Sequence, residues 1–476
     1  MVLMDKYDAF RKHIADSAKK FQELKNETVR IISHLDCDGI CAASILIHAL
    51  KSQNRGFAIS IVPQLTETFI KELAKEEYKI IAFTDLGSGM IEQVKEHLKS
   101  KDVVILDHHE VSGVGNDRVL HINPHMFGIE GSREVSGAGV AYMFAEALDR
   151  KNEACAHLAV VGAIGDAQEN SGFERLNASI LETARNQGKI SVQKGLRLFG
   201  MQTRPIHKIL GYSTDPYIPG VSGSESGAIQ FLHNLGISPK KGKGWKKMAD
   251  LSQEEMQALV AGVVLARRGE AKPEDVLGNI YILEQEEEES PLRDAKEFAT
   301  LLNSCGRMGK ASLGIGACLG DPKMKRQAIS HLLEYRREII AAMQWFEAHR
   351  GTAAVQEHPG YMIISAGTEI LSTMIGTIAS MIAKSNTTRP GTIIISMAEA
   401  PDKTLKASIR RAGFQSDGSI DLRSIMEEIT SRVDGSSTGG HIYAAGSVIP
   451  QGKEKEFLEA ARDVLGKLAG QKRVPD

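Results

Sequence analysis

The first third of the chain alternates short β-branched runs with stretches whose apolar residues recur every three or four positions. Residues 28–32 read as a strand and 39–50 as a helix; residues 58–62 return to strand, and a helix follows to about residue 74. Two more apolar strands, 79–83 and 103–106, flank the amphipathic stretch 90–98. Such alternation predicts a mainly parallel sheet with helices on both faces, and ligands then bind beyond the carboxyl ends of the strands. From about residue 351 the style returns, with strands at 361–365, 392–397 and 405–409 and helices at 372–383 and 453–468. This predicts a second, smaller α/β unit. Between the two, residues 191–350 read as mostly helical, and the tract 238–245 as an exposed basic loop. Leu332, Leu333, Ile339, Ile340 and Met343 fall at helical spacing within 325–349 and predict one long helix bridging the α/β units. The expected organisation is 1–190, 191–350 and 351–476.

The 476 residues suit about three domains. Ordinary fractions of hydrophobic (42%) and charged (25%) residues exclude a disordered or fibrous chain, and no run approaches the roughly 20 apolar residues of a membrane span. Aromatics are sparse at 5%, which disfavours a base-stacking surface built mainly on rings. With 58 basic against 60 acidic side chains, any polyanion site must be local. The five cysteines (Cys37, Cys41, Cys155, Cys305 and Cys318) form no CxxC pair and fit a reducing cytoplasm; Cys37 and Cys41 read as packing residues. Residues 1–20 lack an apolar h-region, so no signal peptide is expected, and the acidic run 284–289 reads as a solvated loop or helix end.

Chemistry concentrates at the strand ends. The first strand closes with His34-Leu35-Asp36-Cys37-Asp38-Gly39, the third with Thr84-Asp85 and the fourth with Asp107-His108-His109; Asp166 follows another apolar run in a small-residue turn. Four carboxylate-bearing turns on one sheet edge would repel each other unless cations are bound there. Oxygen and imidazole donors without thiolates favour Mn²⁺ or Mg²⁺. Two ions about 3.5–4 Å apart can activate water and stabilise an in-line displacement, so the pattern predicts metal-assisted phosphoester hydrolysis. Singly the residues read more blandly: Asp36 or Asp85 as a helix N-cap, His121 and His125 as structural.

Asp36-x-Asp38-Gly39, Asp85, Asp107-His108-His109 and Asp166 resemble the four motifs of the DHH phosphoesterase superfamily. Gly439-Gly440-His441-x-x-Ala444-Ala445-Gly446 resembles the glycine-rich motif of its DHHA1-type substrate-binding domain, with Thr438 where many relatives have a third glycine. Asn303-x-x-Gly306-Arg307 is similar to a signature of the RecJ branch. The resemblance implies a binuclear manganese centre, with His34, Asp36 and Asp85 on one ion, Asp38, Asp85, His108 and Asp166 on the other, and His109 on the scissile phosphate. It further implies that Ser408 and Arg410 grip a phosphate and that Gly439, Gly440 and His441 form the loop holding the substrate end; Arg307 is a candidate third phosphate contact. Physically, adjacent glycines let amides approach a phosphate, and Arg binds its oxygens in a fork.

The function expected from this resemblance is a single-strand-specific exonuclease with its site between the two α/β units. It would degrade DNA 5′ to 3′, with RNA a further substrate, in replication or repair beside the GINS complex of the replisome. The basic tract 240–247 and Arg410-Arg411 would guide the strand. Two alternatives are a phosphodiesterase of short oligonucleotides or cyclic dinucleotides, and a structural replisome subunit.

Overall fold

The computed structural model describes residues 5–24, 27–170, 172–213, 216–270, 272–385, 387–413 and 420–471. Its first part runs α1 (Lys6–Glu23), β1 (Val29–His34), α2 (Cys37–Ser52), β2 (Phe57–Val62), α3 (Glu67–Lys75), β3 (Ile80–Thr84), α4 (Ile91–His97), β4 (Asp102–Leu106) and β5 (Val119–Ile122). The five strands form one parallel sheet in the order β2-β1-β3-β4-β5. Alternate residues serve opposite faces: Ile32, Ile81, Phe83, Val103 and Ile105 pack with Ile70 and Leu73 of α3 and Ile91 and Val94 of α4. Against the other face lies α2, buried on nearly every side because α5 (Gly137–Leu148) and α6 (Ala156–Gly165) enclose it. The predicted parallel α/β layer is present; β5 and α5 are elements the patterning did not assign.

After α7 (Arg175–Asn186), β6 (Ile190–Leu196) pairs antiparallel with β9 (Leu277–Leu283), closing a ribbon from Ile190↔Leu283 to Leu196↔Leu277. Between them lie α8 (Ile206–Gly211), α9 (Glu225–Asn234), β7 (Lys240–Lys241), β8 (Gly244–Trp245) and α10 (Gln253–Ala266). These share a core of their own that includes Ile206, Leu210, Leu232, Met248, Leu259 and Val263. The middle region therefore holds a strand ribbon besides helices. Its basic tract is a small hairpin, not a plain loop, and three of its lysines are ion-paired: Lys241 to Asp250 at 2.5 Å, Lys246 to Glu255 at 2.6 Å and Lys247 to Glu289 at 2.8 Å. The acidic run 284–289 follows β9 as a turn, with Glu284 on Arg293 and Glu286 on Lys325.

The chain continues through α11 (Ala295–Arg307), α12 (Ala311–Cys318) and α13 (Pro322–His349), the last being the single long helix expected. It divides into two compact units, Met1–Leu332 and Leu333–Asp476, the division falling within α13. The second unit comprises β10 (Val355–His358), β11 (Tyr361–Ser365), α14 (Ile375–Lys384), β12 (Ile393–Glu399), β13 (Leu405–Arg411), α15 (Leu422–Thr430), β14 (Ser437–His441), β15 (Ala444–Ile449) and α16 (Glu454–Gln471). Its six-stranded sheet has the order β10-β11-β12-β13-β15-β14, parallel only between β11 and β12. Among the described residues no helix is long and apolar enough to cross a membrane.

Candidate metal centre

In the order β2-β1-β3-β4-β5 the winding direction reverses between β1 and β3, and a crevice opens at the carboxyl ends of those two strands. The register Ser33↔Thr84↔Leu106 makes β1, β3 and β4 end level. His34 therefore closes β1 beside Asp85, the residue after β3, and Asp107, the residue after β4. Asp166 comes from elsewhere. The sequence reading put it in a fourth turn of the sheet edge, but it is the C-cap of α6, delivered from the helical layer.

Each acid is held differently. Asp36 is both the helix cap of the bland reading and a member of the cluster: its Oδ1 accepts the Gly39 N–H at 3.0 Å while Oδ2 lies 2.9 Å from His34 Nδ1. Asp38 is fully buried, and its carboxylate accepts the Gly137 and Ala138 amides at 2.6 and 3.0 Å, so it caps α5 from another helix. A side chain at Gly137 or Gly162 would meet these acids: an added Cβ would lie 2.6 Å from Asp85 Oδ1 or 2.4 Å from Asp38 Oδ1. Asp85 has φ +58°, a left-handed conformation that costs a non-glycine residue energy and persists only where the surroundings enforce it.

The Asp85 carboxylate decides whether the cluster fits a cation. It is 2% exposed, neither oxygen has a hydrogen-bond partner among the described residues, and its near neighbours are His34 Nδ1 at 3.3 Å and His108 Nε2 at 3.2 Å. His108 Nδ1 lies 2.7 Å from the Gly131 carbonyl; donating there turns Nε2 toward Asp85, Asp166 (3.3 Å) and Asp38 (3.7 Å). An imidazole fixed by a backbone carbonyl on one nitrogen, with the other facing acids, is arranged as a metal-ligating histidine is. Donor atoms group as His34/Asp36/Asp85, Asp38/His108/Asp166 and Asp85/His108/His109, each set within 4.8 Å. Asp85 and His108 each belong to two of the three sets.

Asp107 does different work. It accepts the amides of Ser88 (2.9 Å), His108 (2.8 Å) and His109 (3.2 Å) and sits 2.7 Å from His109 Nδ1, so it orients His109 at the rim. Asn123 ties this arrangement down by donating to Ser88 Oγ and to the His109 carbonyl, both at 2.8 Å. Ser88 and Asn123 escaped the sequence reading because an Asn before Pro at a strand end has the same spelling as an ordinary turn. His121, read as structural, is buried with Nε2 on Ser88 Oγ at 2.9 Å.

The electrostatics reflect crowding. Burial, then the Asp85 charge, pushes the Asp38 carboxyl up to about 7, and burial with Asp38 raises Asp166. Burial opposes the charged forms of His34 and His108, but the surrounding carboxylates overcome it and raise both. Burial likewise opposes ionised Asp36 and Asp107, and the neighbouring histidines prevail, lowering both. A carboxyl whose pKa is higher folded than unfolded favours folding at low pH, and that advantage is lost as pH rises through the folded value. The raised histidines add in the same direction above about pH 6.5. The metal-free protein is therefore expected to lose melting temperature between about pH 4 and 7, and saturating Mn²⁺ to flatten that decline. Calorimetry with and without the ion tests this; a metal-free stability that rises over the window would contradict it.

Helix α11 backs the β1–α2 turn. Asn303 Oδ1 accepts the Cys37 N–H at 3.1 Å, a Cβ on Gly306 would fall 1.5 Å from the Leu35 carbonyl oxygen, and the Arg307 charge helps lower Asp36. Cys37 and Cys41 are buried, and burial pushes the Cys37 thiol up to about 11, as packing residues require.

In the second unit Ser408 and Arg410 share one face of β13 with Lys406, which the sequence reading passed over although alternation alone links the three. Burial, then the Arg410 charge, pushes Lys406 down to about 8, which marks crowded cations suited to an anion. Arg410 donates from Nε to Ser380 Oγ at 2.8 Å and from Nη1 to the Ile409 carbonyl at 2.7 Å. A Cβ on Gly376 would lie 2.9 Å from Ser408 Oγ. Gly439 and Gly440 are not loop residues: they lie in edge strand β14, where φ +124° at Gly440 requires glycine. Thr438 Oγ1 lies 2.8 Å from Thr430 Oγ1 and 3.2 Å from Ser447 Oγ. The side chain of His441 lies outside the described residues.

Three family models match the chain: the DHH family N-terminal domain at residues 28–164, the DHH-CID domain at 198–275 and the DHHA1 domain at 360–467. An uncharacterized protein of Methanocaldococcus jannaschii is 29% identical over 460 residues, 92% of this chain and 93% of that one. The single-stranded-DNA-specific exonuclease RecJ of Bacillus subtilis is 24% identical over 209 residues, 41% of this chain and 27% of its own length. Among solved structures, CDC45 of Entamoeba histolytica matches with TM-score 0.63 at 11% identity, covering 97% of this chain and 99% of that chain. RecJ of Thermus thermophilus in complex with Mn²⁺ matches with TM-score 0.58 at 16% identity, covering 98% of this chain and 55% of that chain. At such identities the structural likeness is one of fold.

Proposed function

We propose that this chain, which matches the DHH, DHH-CID and DHHA1 domain models and resembles RecJ in fold, is a metal-dependent, single-strand-specific exonuclease. The observation that carries this reading is the Asp85 carboxylate, buried between two histidines with no hydrogen-bond partner among the described residues and shared by two donor sets. His34, Asp36 and Asp85 would hold one ion, and Asp38, Asp85, His108 and Asp166 the other, Mn²⁺ in first choice and Mg²⁺ in second. When bound, such ions supply a Lewis-acidic charge that polarises the phosphodiester and lowers the pKa of water.

The remaining roles belong to the chain. Asp107, fixed by three backbone amides, holds His109 through Nδ1, and Nε2 would then meet a phosphate oxygen. Arg307 places positive charge beside the β1–α2 turn, where a second phosphate would lie. Lys406, Ser408 and Arg410 offer a separate grip for the phosphate at a strand end, with Gly439, Gly440 and His441 in the same unit. In this proposal DNA is degraded 5′ to 3′ and RNA is also a substrate, in replication or repair beside GINS.

The deciding experiment uses single-stranded DNA and RNA labelled separately at each end, Mn²⁺, and Asp36→Ala/Asp38→Ala protein as control. Mononucleotides released from one end by the unmutated protein alone are expected. No digestion of either polymer would overturn the assignment. The CDC45 likeness favours a second reading, a structural replisome subunit; retained partner binding by the inactive double variant would support it.

A further inference from the structure

The β7–β8 hairpin presents the sequence Lys240-Lys241-Gly242-Lys243-Gly244-Trp245-Lys246-Lys247 at the surface of the inserted region. Trp245 is 42% exposed, unusual for the larger of the aromatic side chains, and it is not mobile ornament: its ring rests on the fully buried His207 with centroids 4.0 Å apart. His207 is in turn placed 3.2 Å from Glu225 of α9, so the indole stands on a fixed base. The ammonium of Lys240 lies 5.2 Å from the Trp245 ring centroid. Lys241, Lys246 and Lys247 pair with Asp250, Glu255 and Glu289, which braces the hairpin; among the described residues this leaves Lys240, over the ring, and the exposed Lys243 of the hairpin turn as its remaining positive charge.

We propose that this hairpin binds single-stranded nucleic acid, with one base stacked on Trp245 and the adjoining phosphates on Lys240 and Lys243. The inference rests on the exonuclease reading and names a surface where the strand is held apart from the metal centre. A partly exposed indole with a lysine ammonium over its ring is complementary to a polymer that offers both bases and phosphates. An acidic polypeptide would satisfy only the lysines. When a base arrives, the Lys240 ammonium exchanges the ring for a phosphate oxygen, so its charge is not left unsatisfied. A duplex keeps its bases stacked internally and has no face to offer, which makes the surface selective for single strands.

The test needs no catalysis. Trp345→Phe leaves Trp245 as the only tryptophan of the full-length chain; its emission is followed in metal-free buffer on addition of a thymidine 20-mer, a duplex of equal length, and poly-glutamate. The single strand is expected to quench Trp245, with affinity that falls steeply as salt rises. Anisotropy of a labelled 20-mer should show about tenfold weaker binding for Trp245→Ala and for Lys240→Glu/Lys243→Glu. Unchanged emission with the single strand, or equal quenching by poly-glutamate, overturns the proposal, the latter in favour of an acidic protein partner. Quenching by a strand that the chain never hydrolyses supports the surface while overturning the nuclease reading.

Discussion

Asp85→Asn is expected to abolish divalent-ion-dependent hydrolysis, lowering the rate at least about 10³-fold, some 4 kcal/mol of activation free energy. Asparagine preserves the shape and is among the few residues that accept the left-handed φ of +58° without further strain. It removes the negative charge and one acceptor from two donor sets at once. The same substitution withdraws the counter-charge from His34 and His108, 3.3 and 3.2 Å away, so the metal-free variant should melt below the parent. Rates on an end-labelled 20-mer, Mn²⁺ titration calorimetry and thermal unfolding together test the idea. Activity within tenfold of the parent would remove Asp85 from the shared position.

Gly306→Ala should be nearly as damaging although residue 306 holds no ligand. Its Cβ would lie 1.5 Å from the Leu35 carbonyl oxygen, a backbone atom that cannot swing aside as a flexible side-chain tip does. Helix α11 must therefore retreat or the turn bearing His34, Asp36 and Asp38 must move, and either breaks the bond from the Cys37 amide to Asn303. Overpacking costs about 1–3 kcal/mol, and displacing the donors by about 1 Å can cost about 10² in rate. We expect losses of stability and activity of this order, read by denaturant unfolding and by hydrolysis with saturating Mn²⁺. A fully stable, fully active Gly306→Ala protein would show that α11 does not position the turn.

Much of this centre was legible from the chain because strand-end chemistry depends on local order. Once 28–32, 79–83 and 103–106 read as parallel strands, His34, Asp36, Asp85 and Asp107 had to gather on one edge. Asp166 was legible as an acid and not as to its source, since a short apolar run before a small-residue turn is spelled alike for a strand and for the buried helix Ala156–Gly165. The bonds by which Asp38 accepts the Gly137 and Ala138 amides, and Asn303 the Cys37 amide, join residues about 100 and 266 positions apart, and no periodicity records such contacts. β6 was hidden differently: Ile190–Leu196 contains Gln193, Lys194 and Gly195, which follow neither alternation nor a continuous apolar run.

The ribbon of β6 and β9 has an evolutionary side. Its outermost pair, Leu196↔Leu277, and the bond from the Arg197 amide to the Val276 carbonyl at 2.7 Å bring the two ends of the intervening segment side by side. A turn of a few residues could replace everything between them without altering the ladder, because closing a short loop is no harder than closing a long one. The ribbon is thus a socket: the segment it closes, with its separate core and lysine hairpin, can change in length or content without disturbing the β6–β9 ladder.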